Sequence, residues 1–216
     1  MPAFNFSFLQ QELLLLPEKA IYWKNKKLLL LADAHLGKVG HFRKAGIPVP
    51  QDVVYKDYEL LTAIIKEYDV TTLYILGDFF HSDYNKELEL FSEWKQKHTQ
   101  LTILLIRGNH DVLPDAFYER VNVKVVEGCL AAEPFILSHK PLVKESNLYN
   151  LAGHIHPGIK LIGKAHQQLT LPCFYFGEKQ ALLPAFGSLT GHAKIQPKTG
   201  DHIFAIVNEQ VCQIGN

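Results

Sequence analysis

Five short apolar segments of this chain each end in side chains that can bind a metal ion or carry a proton. The segments are "LLLLADAH", "LYILGD", "LLIRGNHD", "FILSH" and "LAGHIH", and their polar ends supply Asp33, His35, Asp78, Asn109, His110, Asp111, His139, His154 and His156. Continuous apolar segments are typical of strands that are buried on both faces. Because ligands bind at the carboxyl ends of strands in open α/β sheets, we expect these side chains to meet at one edge.

The rest of the chain fits an α/β fold. Residues 51–70 show one apolar face and predict a helix, with Asp52 as its N-cap, and residues 83–98 predict a second helix. Three short strands are predicted before residue 36. Beyond about residue 160 the chain is rich in strands, with hairpins that turn at "GEK" and "NEQ". We therefore predict one domain, residues 1–216, with two stacked mixed β-sheets flanked by helices.

Each polar motif alone has an ordinary structural explanation. Gly, Asn and Asp suit turns, so "GD" or "GNHD" would not by itself indicate a site. "GHIHP" is more informative, because residues i and i+2 of an extended segment point to the same side and two aligned imidazoles suit a metal ion. It is the occurrence of all five motifs in order, each after an apolar strand, that favours a metal site.

The residue types restrict the metal. Asp, Asn and His without Cys suit Mn²⁺, Fe²⁺ or Zn²⁺, whereas this much imidazole argues against Ca²⁺. This set is too large for one ion, so we expect two ions that share seven of these ligands, one of them a bridging carboxylate. Two ions about 3.5–4 Å apart can stabilise both the attacking and the leaving oxygen of a displacement at phosphorus.

Composition excludes several other classes of protein. The chain has 216 residues, with 22 basic and 22 acidic side chains and a formal net charge of zero, so no general attraction to nucleic acid or to an anionic membrane is indicated. The first 20 residues lack the basic and apolar regions of a signal peptide. Three separated cysteines, Cys129, Cys173 and Cys212, predict free thiols and a cytoplasmic location.

The ordered motifs D-x-H, GD, GNHD, H and GHxH, over residues 33–156, resemble the signature of the calcineurin-like metallophosphoesterases. More specifically, "LADAHLGK", "FRKAGIPVP", "RGNHD", "LPCFYF" and "LPAFGSLTG" are similar to the bacterial ligase-associated DNA damage response phosphoesterases, the PdeM group. "GDFFHS" also resembles the corresponding motif of SbcD-type nucleases. The chain departs from the group at Ala34, where Leu is usual, and at Lys140, where an acid is usual.

The resemblance implies a role for each motif residue and an α-β-β-α sandwich. Asp33, His35 and His156 would hold one metal ion. Asn109, His139 and His154 would hold the other, and Asp78 would bridge the two. His110 would stabilise the transition state or protonate the leaving oxygen, with Asp111 orienting it. Two divalent ions are implied, with Mn²⁺ as the first choice and Fe²⁺ or Zn²⁺ as alternatives.

His81 and the basic loop 38–44 each have two interpretations, and several other histidines have no predicted role. His81 is either a second substrate-facing histidine, as in the SbcD-type enzymes, or a solvated side chain. The basic loop 38–44, with Lys38, His41, Arg43 and Lys44, is either solvated or a rim that contacts a nucleic-acid backbone. The histidines without motif support are interpreted as surface or core residues and include His98, His166, His192 and His202.

The sequence therefore predicts a two-metal phosphodiesterase, a DNA endonuclease or end-processing enzyme in DNA repair. A small-molecule phosphomonoesterase or nucleotide phosphodiesterase is the second prediction, since the net charge is neutral. A metal-free interaction scaffold is the third, although a scaffold has no need of a complete ligand set. The resemblance implies DNA as substrate, with a DNA ligase, an Lhr-type helicase and an exonuclease as partners. No membrane is implied, and an oligomer is compatible with the sequence.

Overall fold

The first of two β-sheets contains seven strands in the order in which they occur along the chain. The computed structural model describes residues 3–44, 46, 48, 53–80, 86–143, 146–163 and 167–214. The strands of the first sheet are β1 (Phe4–Phe8), β2 (Gln11–Leu15), β3 (Ile21–Trp23), β4 (Leu28–Leu31), β5 (Thr72–Leu76), β6 (Thr102–Ile106) and β7 (Val123–Val126). β1 to β4 pair antiparallel and β4 to β7 pair parallel, so the carboxyl ends of the last four strands lie at one edge.

In the described part of the chain, one 3₁₀-helix, η1 (Lys24–Lys26), and four α-helices lie between the strands. The α-helices are α1 (Lys38–Lys44), α2 (Val53–Glu67), α3 (Lys86–Lys97) and α4 (Asp115–Arg120). The two predicted helices are confirmed as α2 and α3, while Asp52 lies outside the described residues. The basic segment 38–44 was predicted as a loop, and this was wrong, because it forms α1. No described helix has the length and apolarity needed to cross a bilayer.

The second sheet is formed by the C-terminal half of the chain. Its strands are β8 (Cys129–Ala132), β9 (Phe135–Ser138), β10 (Tyr149–Ala152), β11 (Pro157–Ile162), β12 (Gln168–Phe176), β13 (Gln180–Leu182), β14 (Ala193–Lys194), β15 (His202–Val207) and β16 (Gln210–Ile214). Both predicted hairpins, β12–β13 and β15–β16, are confirmed. The second turns at Asn208 and Glu209, which both have positive φ, as a two-residue hairpin turn of type I′ requires.

The apolar residues form two main layers. One layer lies between the first sheet and the helices and includes Leu73, Ile75 and Phe91. The other lies between the two sheets and includes Phe174, Phe176 and Phe204. The predicted α/β fold with two stacked mixed sheets and flanking helices is confirmed. At the metal-motif edge, Ala32, which follows β4, and Ala185, which follows β13, form an isolated bridge outside the named strands.

Candidate metal centre

The polar ends of β4, β5, β9 and β10 converge at one edge of the molecule. The side chains of Asp33, His35 and His156 come together as one group that could hold a metal ion, termed here the first ligand group. Those of Asp78, His139 and His154 form the second ligand group. In each group, one ligand atom from every residue lies within 4.8 Å of the others. The expected convergence of these strand ends is therefore observed.

Backbone hydrogen bonds continue beyond the ends of β4 and β5 and join the two segments that carry Asp33, His35 and Asp78. The Asp33 N–H donates to the Gly77 carbonyl (3.1 Å) and the His35 N–H donates to the Asp78 carbonyl (3.0 Å). On the other side, the Gly187 N–H donates to the Asp33 carbonyl (3.2 Å). Asp33 is thus held by backbone hydrogen bonds on two sides, and His35 is held against Asp78.

In the second ligand group, the Nε2 atom of His139 lies close to oxygen and nitrogen atoms of three other residues. Its Nδ1 lies 3.0 Å from the Leu76 carbonyl oxygen, which only accepts, so the neutral imidazole carries its proton on Nδ1. Its Nε2 lies 3.0 Å from Asn109 Oδ1, 3.1 Å from His154 Nδ1 and 3.5 Å from Asp78 Oδ1. Lone pairs that converge in this way fit a cation, and a carbonyl bond from the other ring nitrogen is the usual support of a metal-binding histidine.

The first ligand group shows the same fit through atoms that lack partners. Asp33 Oδ1 lies 3.3 Å from His156 Nε2, and both atoms are buried without a hydrogen bond among the described residues. The other carboxylate oxygen, Asp33 Oδ2, accepts from the His154 N–H at 2.8 Å. Buried polar atoms are normally satisfied, so this pair fits a bound ion.

The two groups form one site. His139 Nδ1 of the second group lies 3.8 Å from Asp33 Oδ1 of the first. Asp78 Oδ1 accepts from the backbone N–H of His110 at 2.8 Å. The His110 side chain is exposed, and its ring centroid lies 5.4 Å from that of His35. His110 therefore lies at the mouth of the site, between residues of both groups.

Several residues at this edge have a backbone conformation with positive φ. Five of the predicted ligands have positive φ, which a residue with a side chain adopts rarely. They are Asp33, His35, Asp78, His154 and His156. The cost is about 1–2 kcal/mol for most residues and lower for Asp, and both Asp and His are enriched in this conformation. Strain of this kind is concentrated at functional sites, where it aims side chains that an ordinary strand end would direct elsewhere.

Two glycines in the motifs provide the space that the ligands occupy. A Cβ atom on Gly77 would lie 2.3 Å from His139 Nδ1, and one on Gly108 would lie 2.3 Å from Asp78 Oδ1. Gly77 and Gly108 therefore allow ligands from different strands to approach one another, and this accounts for the glycine that precedes the polar residue in "GD" and "GN".

Comparison with known proteins identifies the family. The calcineurin-like phosphoesterase profile matches residues 26–193. The structure of the Pseudomonas putida nuclease MPE is similar over 98% of this chain and 100% of that one, with 32% identity and a TM-score of 0.82. The chain belongs to the calcineurin-like phosphoesterase family. The phosphoesterase Yfce from E. coli is a distant match, with 12% identity over 87% of this chain and 97% of that one, and a TM-score of 0.45. No curated protein matches the chain.

Asp111 joins two of the strand-end loops in this phosphoesterase. Its carboxylate accepts from the backbone N–H groups of Phe79 (2.9 Å), Phe80 (3.1 Å) and Gly108 (2.8 Å). Arg107 donates to the Asp111 carbonyl at 2.9 Å. Burial raises the pKa of Asp111, and the three backbone donors oppose that rise. Asp111 therefore fixes the loop that carries His110 against the loop that carries Asp78. The role predicted from the sequence, orientation of the His110 ring, stays a prediction.

The electrostatic surroundings of His154 favour its neutral form. Burial lowers its pKa most, followed by the charges of His139 and Lys140. A neutral imidazole is the form that binds a metal ion.

The remaining residues to place are His81 and the basic residues of segment 38–44. His81 lies outside the described residues, so its role stays a prediction. Lys38 lines a cavity of about 20 Å³ that His35 also lines, and burial lowers its pKa. Arg43 is exposed on α1. His192 was not predicted as a site residue, yet the pairing of β14 with β11 places it beside His156.

Proposed function

We propose that this phosphoesterase is a two-metal nuclease that cleaves DNA, as an endonuclease or end-processing enzyme in repair. The observation that carries the proposal is the pair of adjacent ligand groups, combined with similarity over nearly the whole chain to a protein described as a nuclease. All seven predicted ligands would take part, with Asn109 joining the second ligand group through the oxygen that faces His139.

The donor set suits Mn²⁺, with Fe²⁺ or Zn²⁺ as alternatives, because it combines imidazole nitrogens with carboxylate and amide oxygens. When bound, such ions supply a hydroxide at neutral pH and neutralise charge on the phosphate oxygens. The protein's part is to hold the donors in place. Asp78, a member of the second ligand group, would bridge the two ions.

His110 would serve the leaving group. Its ring is exposed beside His35, close to where a bound phosphate would lie, and its backbone is held by Asp78. From that position Nδ1 or Nε2 can donate a proton to the oxygen that departs from phosphorus. Asp111 and Arg107 would support it by keeping the loop rigid.

A second candidate is a phosphomonoesterase or nucleotide phosphodiesterase that acts on a small molecule. The formal net charge of zero favours it, since nucleic-acid enzymes gain affinity from a positive surface. A metal-free scaffold fits less well, because it would not need ligand atoms that are buried without partners.

The biological setting is also part of the proposal. A cytoplasmic DNA-repair enzyme would act with a DNA ligase, an Lhr-type helicase and an exonuclease, as the resemblance to the PdeM group implies. Residues 1–216 would form its single catalytic domain.

Metal analysis combined with a substrate panel tests the proposal. The purified protein should bind two equivalents of Mn²⁺ and cleave single-stranded DNA and bis(nitrophenyl) phosphate much faster than nitrophenyl phosphate. Asp78→Asn should lose metal and activity, whereas the control Asp69→Asn, at an exposed acid paired with Lys27, should keep both. A preference for the monoester would support the second candidate, and the absence of metal binding would support the scaffold.

A further inference from the structure

A buried asparagine, Asn150, lies on β10, the strand that leads to the predicted ligand His154. Its side chain belongs to a residue that is only 4% exposed. Asparagine is depleted from strands, and burial of its amide group is costly unless the polar atoms have partners. An apolar residue would suit a buried strand better. Asn150 is therefore a candidate for a role other than stabilising the strand.

The Asn150 side chain holds the chain on both sides of His139. Its Nδ2 atom donates to the Ile136 carbonyl at 3.0 Å and to Ser138 Oγ at 2.9 Å, and both of these residues precede His139. Its Oδ1 atom accepts from the Leu142 N–H at 3.0 Å, and this residue follows His139. One amide group thus fixes the end of β9 and the turn beyond it.

Ser138 extends the network to the residue directly after His139. Its hydroxyl group donates to the Lys140 carbonyl at 2.7 Å. Because a carbonyl only accepts, the single hydroxyl proton of Ser138 is used there, and its oxygen must accept from the Asn150 amide. Ser138 is 1% exposed, so water has little access to these bonds. The hydrogen bonds of Asn150 and Ser138 together are termed here the Asn150 clamp.

The Asn150 clamp joins the two segments that carry the histidines of the second ligand group. Strands β9 and β10 pair in parallel, and beyond their ends the Gly153 N–H donates to the His139 carbonyl at 3.0 Å. At the site, His154 Nδ1 and His139 Nε2 lie 3.1 Å apart. The clamp therefore acts on the separation of two donor atoms without contributing a donor itself. Groups that orient metal ligands in this way influence metal affinity.

We propose that Asn150 is a positioning residue of the metal centre, which acts through Ser138 and the turn after β9 to hold His139 at the distance from His154 that one ion requires. The inference rests on the proposed two-metal function. It adds to the seven predicted ligands a residue that touches neither metal nor substrate and sets the affinity of the second ligand group. Such supporting residues typically contribute about 10–100-fold in metal affinity.

Titration of the metal-free protein with Mn²⁺ tests the proposal, with the free ion measured by electron paramagnetic resonance. The wild type should bind two ions. Asn150→Ala should weaken the binding of one ion by about 10–100-fold and leave the other unchanged. Ser138→Ala should weaken the same ion less, and its effect should be smaller still in the Asn150→Ala background, because the two residues act in one network. Excess Mn²⁺ should restore kcat for bis(nitrophenyl) phosphate in Asn150→Ala.

The matched control is Tyr149→Phe, at the neighbouring position of β10. It removes the hydrogen bond from the Tyr149 hydroxyl to the Gly177 carbonyl at 2.7 Å, so it should lower the urea midpoint while both ions bind as in the wild type. The positioning role would be overturned if Asn150→Ala bound both ions with wild-type affinity, or if Tyr149→Phe weakened one ion as strongly.

Ser138→Ala decides the question by the same criterion if Asn150→Ala does not fold. A wild type that binds two ions, combined with unchanged affinities in Ser138→Ala and Asn150→Ala, would contradict only the positioning role. A wild type that binds fewer than two ions would contradict the two-metal function and this inference with it.

Discussion

The metal edge and the layer between the two sheets are built on opposite principles. The layer consists of apolar side chains such as Phe174, Phe176 and Phe204, which are at most 1% exposed. At the edge, Asp33 and Asp78 are buried to the same degree, at 0% and 2% exposure, although burial of a carboxylate is costly unless it is paired. The layer lowers the free energy of the fold, whereas the edge places donor atoms for a ligand. Substitutions should therefore separate activity from stability according to the region.

Asp78→Ala should have the largest effect on activity. Asp78 belongs to the second ligand group, and its carbonyl accepts from the His35 N–H of the first. Its loss should therefore remove metal from the site and abolish hydrolysis of both DNA and bis(nitrophenyl) phosphate. The metal-free variant should nevertheless unfold within about 1 kcal/mol of the metal-free wild type, because one hydrogen bond from His110 is lost and one buried charge is removed. Activity, metal content and chemical unfolding in chelator measure the two effects.

Phe204→Ala provides the matched change in the layer. A fully buried Phe reduced to Ala typically costs about 3–5 kcal/mol. The folded fraction of this variant should keep its metal and its activity per molecule. If Asp78→Ala destabilised the metal-free protein as much as Phe204→Ala does, the contrast between the two regions would be wrong.

His110→Ala should have the next largest effect, confined to chemistry. The variant should keep both metal ions, because the backbone N–H that bonds Asp78 is retained. DNA cleavage should fall by about 10²–10⁴-fold, the usual contribution of a general acid. Hydrolysis of nitrophenyl esters should fall less, because nitrophenolate departs without a proton.

The metal content of the His110→Ala variant shows whether His110 is a metal ligand or a general acid. Loss of metal from His110→Ala would make this histidine a ligand. DNA cleavage at the wild-type rate would move the acid elsewhere, with His81 as the first residue to test by the same substitution.

Much of the edge was predictable because its signals are local. Asp33, His35, Asp78, Asn109 and His139 directly follow apolar strands, and parallel pairing then brings the strand ends together. The family match and the two-sheet fold agree with that prediction. Helix α1 was missed because seven residues are too few to show helical periodicity, and its sequence "KVGHFRK" contains a glycine, which disfavours helix.

The features that escaped prediction depend on pairing between distant segments. His192 is placed beside His156 by the two-residue strand β14, and nothing in "TGHAK" indicates that partner. Likewise, the motif suggests that Asp111 acts on its neighbour His110, but its carboxylate bonds the backbone of Phe79 and Phe80, some 30 residues earlier. A carboxylate that accepts from backbone groups leaves no pattern in the sequence.

The smallest expected effect concerns Asp57, which lies between the two kinds of region, on α2 beside the loop that carries Ser188. Burial raises its pKa to about 6, although the charge of Lys19 and the hydrogen bonds from Ser188 act in the opposite direction. Because the folded pKa is above the unfolded value, the favourable contribution is complete below about pH 4 and is lost as the pH rises through 6. The loss is at most about 3 kcal/mol.

Asp57→Asn stays neutral and keeps an acceptor for Ser188. It should therefore be more stable than the wild type at pH 8, with the difference disappearing towards pH 4, whereas the exposed control Asp69→Asn should show no such trend. Urea unfolding across this pH range measures the difference, and a variant less stable than the wild type at pH 8 would mean that the Lys19 attraction outweighs burial, so that Asp57 belongs with the paired acids of the edge.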